Sequence, residues 1–207
     1  MPTFDEIQLE VAKRVGDPVA AVATAGSRFS SAQRVFAINE AIRRFIIKAV
    51  RAKLEGALQN YIVTASQALV ASVKPLSGFT GGVMGDAILS AYNVTDSVVV
   101  RELPARLEAQ TRTGGNSYLT ASATNQSYVI DTANFKLLDG ASSTDVILLR
   151  YVSQHTDLAN GGTILVPSEY HPQIIDLAVS VIKEMDASSE AFAQSQIKEE
   201  KVTRELG

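Results

Sequence analysis

The chain has 207 residues, 46 % of them apolar, with a net charge of −3 and no cysteine or tryptophan. That length and composition suit a folded chain and exclude disorder, disulfides, thiolate chemistry and cysteine-based zinc sites. No broad basic field exists to hold nucleic acid, and no stretch nears the roughly 18 apolar residues of a membrane span.

The first predicted element is a helix beginning at Thr3, where Thr3 and Glu6 form a capping-box pattern. Phe4, Ile7, Val11 and Val15 recur at helical spacing until Gly16-Asp17-Pro18 stops it. The acidic opening, Met1 to Glu6, lacks a signal-peptide core, which is the expectation for a protein made in a reducing cytoplasm. Residues 19–29 have no period and read as a loop.

A second box, Ser30 with Gln33, opens a long helix expected to run to about Asn60. Val35, Ile38, Ile42, Phe45, Ile46 and Ala49 fall on one apolar stripe. A second stripe carries Phe36, Ile47, Val50, Leu54 and Leu58. Two stripes imply two apolar neighbours, either both within the chain or one on a second subunit. Arg44, Lys48 and Arg51, with Arg43 and Lys53 nearby, form a charged contact face opposite the first stripe. It suits solvent, an acidic partner or weak contact with a DNA backbone. Without interleaved aromatics it does not suit base stacking.

From Tyr61 the period moves towards two. Residues 61–64, 98–101, 127–130 and 146–151 are strand candidates, separated by Gly81-Gly82, Gly114-Gly115-Asn116, Asp139-Gly140 and Asn160-Gly161-Gly162. Residues 72–91, with four glycines, read as an extended loop. Past Val166-Pro167, Ser168 to His171 and Pro172 lead into a last helix with Ile174, Ile175, Ala178, Val181, Ile182 and Met185 on one stripe. Beyond Asp186 the apolar residues Phe192, Ile197, Val202 and Leu206 are too far apart for a stripe, and a tail leaving the domain is expected.

The fold class expected is therefore α+β: a helical bundle from residues 1–60 and 168–186, an inserted antiparallel β region over 61–167, and an extended tail over 187–207. The middle holds 14 of the 41 charged residues and no chemical constellation. The glycine pairs do not match a P-loop or dinucleotide fingerprint, and neither GxSxG nor HExxH occurs. Asp131, Asp139 and Asp145 lack the spacing of a calcium loop. His171 reads as a surface or entry residue at a helix start and His155 as a polar-loop residue, so neither an enzyme nor a bound cofactor or metal is expected.

Several short motifs are shared with a known family. They are Thr3-Phe4-Asp5-Glu6-Ile7 ending at Gly16-Asp17, Arg28-Phe29-Ser30 before Ile38-Asn39-Glu40-Ala41, and Leu103-Pro104. Fuller still is Leu149-Arg150-Tyr151, Asp157-Leu158 and Val166-Pro167-Ser168-Glu169-Tyr170-His171, running into Ile175-Asp176-Leu177-Ala178. In these the chain resembles the head-to-tail adaptor (connector) proteins of tailed bacteriophages. The resemblance implies a virion neck protein in a homo-oligomeric ring of twelve copies, with the portal protein above and a tail, tail-tube or nozzle protein below. DNA would pass non-specifically through its channel, and no membrane or cofactor is involved. Phe36, Ile47, Val50, Leu54 and Leu58 are then candidate subunit contacts, and Phe192, Ile197, Val202 and Leu206 candidate portal-docking residues. A tail-completion or tail-terminator protein is the alternative, and a carbohydrate-binding or hydrolase module a more distant one.

Overall fold

A computed structural model describes residues 3–17, 27–104, 107–108, 122, 124–138, 144–186 and 201–203, with backbone alone at 85–86. The chain divides into two compact units, Met1–Asn60 with His155–Gly207, and Tyr61–Gln154.

The first unit is helical. Helix α1 (Phe4–Arg14) starts with its capping box formed: the Glu6 N–H donates to Thr3 Oγ1 and the Thr3 N–H to Glu6 Oε2. Its end is a Schellman turn, with Gly16 at φ +76° and the Asp17 N–H donating to the Ala12 carbonyl. Helix α2 (Ser31–Arg51) starts from the Ser30–Gln33 box. It stops well short of Asn60, because Lys53 takes φ +56° and the Leu54 N–H closes onto the Ala49 carbonyl. The same Schellman geometry recurs there without a glycine to announce it. A short α3 (Glu55–Leu58) follows the break.

Helix α4 (His171–Met185) packs on both α1 and α2. Val179, Ser180, Val181 and Ile182 are consecutive buried residues, so the helix buried nearly all round is α4 rather than α2. Residues 155–167 strap this unit. The Gly161 N–H donates to Asp5, Gln8 Nε2 donates to Asn160 and Asn60 Nδ2 to the Leu165 carbonyl.

The second unit corrects the expected fold class. Its strands form a large curled mixed sheet, not the antiparallel insertion on a helical bundle that the sequence suggests. They are β1 (Ile62–Ala68), β2 (Val73–Pro75), β3 (Val83–Asn93), β4 (Val98–Glu102), β5 (Ser127–Asp131), β6 (Asn134–Leu138) and β7 (Val146–Ser153). Among the described residues the order is β1-β7-β3-β4-β5-β6-β2, with β4 and β5 parallel and the other pairs antiparallel. The expected loop over 72–91 therefore contains β2 and most of the longest strand. Register shifts in β3 at Val83/Ile88 and Ile88/Ser90 break the alternation that would have marked it in the sequence.

Strands β1 and β2 lie at opposite ends of this order yet follow each other in the chain. The two-residue turn Ala71-Ser72 joins them, with Val70 and Val73 exchanging both backbone hydrogen bonds. The sheet curls so that its ends meet at that turn. Phe79, Phe135, Tyr128 and Tyr151 fill the core within, Tyr128 stacked on Phe135 at 4.9 Å and Phe79 edge-on to Tyr151 at 5.7 Å.

Candidate interaction surfaces

Helix α2 separates the two expected stripes. Ile38, Ile42, Phe45, Ile46 and Ala49 are fully buried, while Val35 is half-buried. The second stripe does not behave as one surface. Phe36 is 52 % and Ile47 41 % exposed, Val50 and Leu54 are half-buried, and Leu58 is 1 % exposed. Leu58 is thus a core residue, because the break at Lys53 redirects the chain before it. Phe36 and Ile47 are eleven residues apart, so they share one face about 16 Å apart along the helix.

The charged face is already partly engaged. Arg44 sends Nη1 and Nη2 to the two carboxylate oxygens of Glu184 at 2.9 Å each and Nε to Glu40 at 3.2 Å. Arg43 pairs with Asp157 and Glu40. Lys48 Nζ donates to Thr203 Oγ1 at 2.6 Å, while Arg51 is exposed. Arg44 therefore locks α2 to α4 within the unit, and a DNA backbone would have to compete with Glu184 for it.

Of the four expected docking residues in the tail, Phe192, Ile197 and Leu206 lie outside the described residues. Val202 sits in a helical turn (201–203) and is 1 % exposed. Together with the Lys48–Thr203 bond, this places the turn against the chain's own helical unit, where an extended tail was expected. Val202 fills a core position.

Polar residues with unusual surroundings hold each unit together internally. Asp17, 2 % exposed at its side chain, accepts from the Arg28 N–H at 2.7 Å, the Phe29 N–H at 3.2 Å and Arg34 Nη2 at 2.8 Å. Burial raises the Asp17 pKa, but those three donors outweigh it and hold the carboxyl below its ordinary 3.8. His155 lies in a loop and His171 at a helix start, as expected, but both are buried, at 8 % and 3 % exposure, where a surface position was read for His171. His171 Nε2 donates to the Val166 carbonyl. Asn39 uses its amide to bind the Leu158 backbone in both directions, so its Oδ1 is an acceptor and His155 Nε2 is the donor to it at 2.9 Å. Burial, then the Arg43 charge, lowers the His155 pKa below 6.5, with Asp157 opposing.

In the strand unit, buried Asn93 joins Gln126 (2.8 Å) and Asp145 (2.7 Å) and caps the β3–β4 turn at Thr95. Asp145 is thereby tied to an amide, Asp131 is exposed at the β5–β6 turn, and Asp139 lies outside the described residues. No cluster of three metal-ligating side chains occurs among the described residues, and no described helix is long and apolar enough to cross a membrane. Exposed Val70, Val94 and Val99, which carry no periodic signal, gather at one end of the sheet. No protein-family model matches the chain, and no curated protein matches it at a significant level.

Proposed function

We propose that this chain is a structural virion protein, a head-to-tail adaptor that forms a ring between portal and tail and performs no catalysis. The motif resemblance supplies the reading, and one observation supports it most: Phe36 and Ile47, two large apolar side chains on one face of α2, are exposed while the opposite stripe is sealed in the core. A cyclic ring needs each subunit to present two different surfaces, and such a face suits one of them. Twelve copies, the portal above and a tail or nozzle protein below follow from the resemblance alone.

The test is to mix the purified chain with its portal protein and image the product by electron microscopy. Ring complexes are expected, and Phe36→Asp and Ile47→Asp should abolish them while circular dichroism stays unchanged. A folded wild-type chain that binds tail-tube protein and ignores the portal would replace this reading with tail completion. A chain that binds neither would remove both.

A further inference from the structure

The two ends of the sheet are built differently. Strand β2 has three residues, including Lys74 and Pro75, and so is short, charged and missing a backbone donor. These are the usual devices that stop an edge from pairing. Strand β1 has none of them: Ile62-Val63-Thr64-Ala65-Ser66-Gln67-Ala68 lacks charge, proline and glycine. Its ladder with β7 runs without interruption from Ile62↔Val152 to Ala68↔Val146.

The bonding phase of that ladder follows from its two ends. The Ser153 N–H donates to the Tyr61 carbonyl, and the Leu69 N–H donates to the Asp145 carbonyl. Hydrogen-bonded pairs in an antiparallel ladder alternate, so Tyr61, Val63, Ala65, Gln67 and Leu69 turn their backbone groups towards β7. Ile62, Thr64, Ser66 and Ala68 turn theirs away. Among the described residues no backbone hydrogen bond meets them on that side. Thr64, Ser66 and Ala68 are also exposed.

We propose that β1 is a homotypic docking edge, pairing antiparallel with β1 of a second copy across a two-fold axis. A row of donors and acceptors at strand spacing recognises another extended backbone. The other edge of a second copy is unsuitable, since β2 is short and carries Pro75. An uncharged strand can face itself without like-charge repulsion. The next outward residue, Val70, is already bonded to Val73, so the pairing is centred away from that turn. With the axis at Thr64, Ile62 stands opposite Ser66, which uses the outward N–H and C=O groups of Ile62, Thr64 and Ser66. This contact is independent of the adaptor reading: a two-fold contact closes on itself and does not propagate round a ring.

The experiment is sedimentation equilibrium of the full chain from about 1 μM to about 1 mM, in an Ile47→Asp background so that the α2 face is not the source of association. Reversible dimers are expected. Ser66→Pro removes an outward N–H and leaves the β7 ladder whole, and it should weaken association at least about tenfold with an unchanged circular dichroism spectrum. The double variants Thr64→Lys/Ser66→Lys and Thr64→Glu/Ser66→Glu should each be monomeric and should form a mixed dimer when combined. A wild-type strand that stays monomeric throughout overturns the proposal, including where the chain instead captures a strand from another protein. A dimer indifferent to all these substitutions overturns it too.

Discussion

Asp17 and Arg34 form an ion pair 2.8 Å long in which neither side chain reaches water, at 2 % and 0 % exposure. The pair ties the end of α1 to the first turns of α2. Asp17→Ala would strand a buried guanidinium, and a loss of about 3–5 kcal/mol is expected. Arg34→Met should cost less, since the Asp17 carboxylate keeps its two backbone donors. Urea unfolding of the three proteins measures both, and a loss under about 1 kcal/mol for Asp17→Ala would show the pair to be dispensable.

The pH dependence of stability has a definite sign. The folded His155 pKa lies below 6.5, so the unfolded chain binds a proton more readily. Stability is full above 6.5 and is lost as pH falls through 6.5 towards the folded value. Asp17 repeats this sign lower down, losing its contribution as pH falls below 3.8 towards its own depressed value. Melting temperature followed from about pH 8 to about pH 5 should therefore decline, and His155→Gln should flatten that decline. A wild-type melting temperature that rises on acidification over that range contradicts the assignment.

Among the five described non-glycine residues that hold left-handed backbone are Lys53 at φ +56° and Ala71 at φ +50°, each in a tight turn. Each pays for its Cβ in that conformation. Lys53→Gly should stabilise the end of α2 by about 1 kcal/mol, less the extra freedom glycine gains when unfolded. Ala71→Asn should favour the type I′ turn between β1 and β2 by about 0.5 kcal/mol. Thermal shifts in the opposite direction would show these turns to be unstrained.

Leu58 and Ile47 share an apolar stripe in the sequence but should respond differently. Leu58→Ala removes a fully buried side chain, and about 2–5 kcal/mol should be lost. Ile47→Ala, at a position 41 % exposed, should stay within about 0.5 kcal/mol of wild type in the isolated chain. Equal losses would place Ile47 in the core and remove the observation that most supports a subunit contact there.

The candidate surface was partly legible. Helical periodicity separates Ile42 and Phe45 from Phe36 and Ile47, because it reports which side chains share a face. It does not report which face is covered. The edge of β1 carries no side-chain signal at all, since its distinguishing feature is the direction of backbone N–H and C=O groups.

The sequence by itself determined the starts of α1 and α2, through Thr3 with Glu6 and Ser30 with Gln33, and the Gly16 stop. Those signals are local, made by residues within one turn. It also marked part of β1, β4, β5 and β7, where apolar β-branched residues cluster. Only tertiary structure decided the rest. The end of α2 depends on Lys53 accepting a strained φ, and β3 on bulges that its neighbour β7 tolerates. The burial of Leu58, Val202 and His155 depends on segments far away in the chain. The mixed sheet itself is a set of pairings between distant strands, and no local pattern encodes which strand lies beside which.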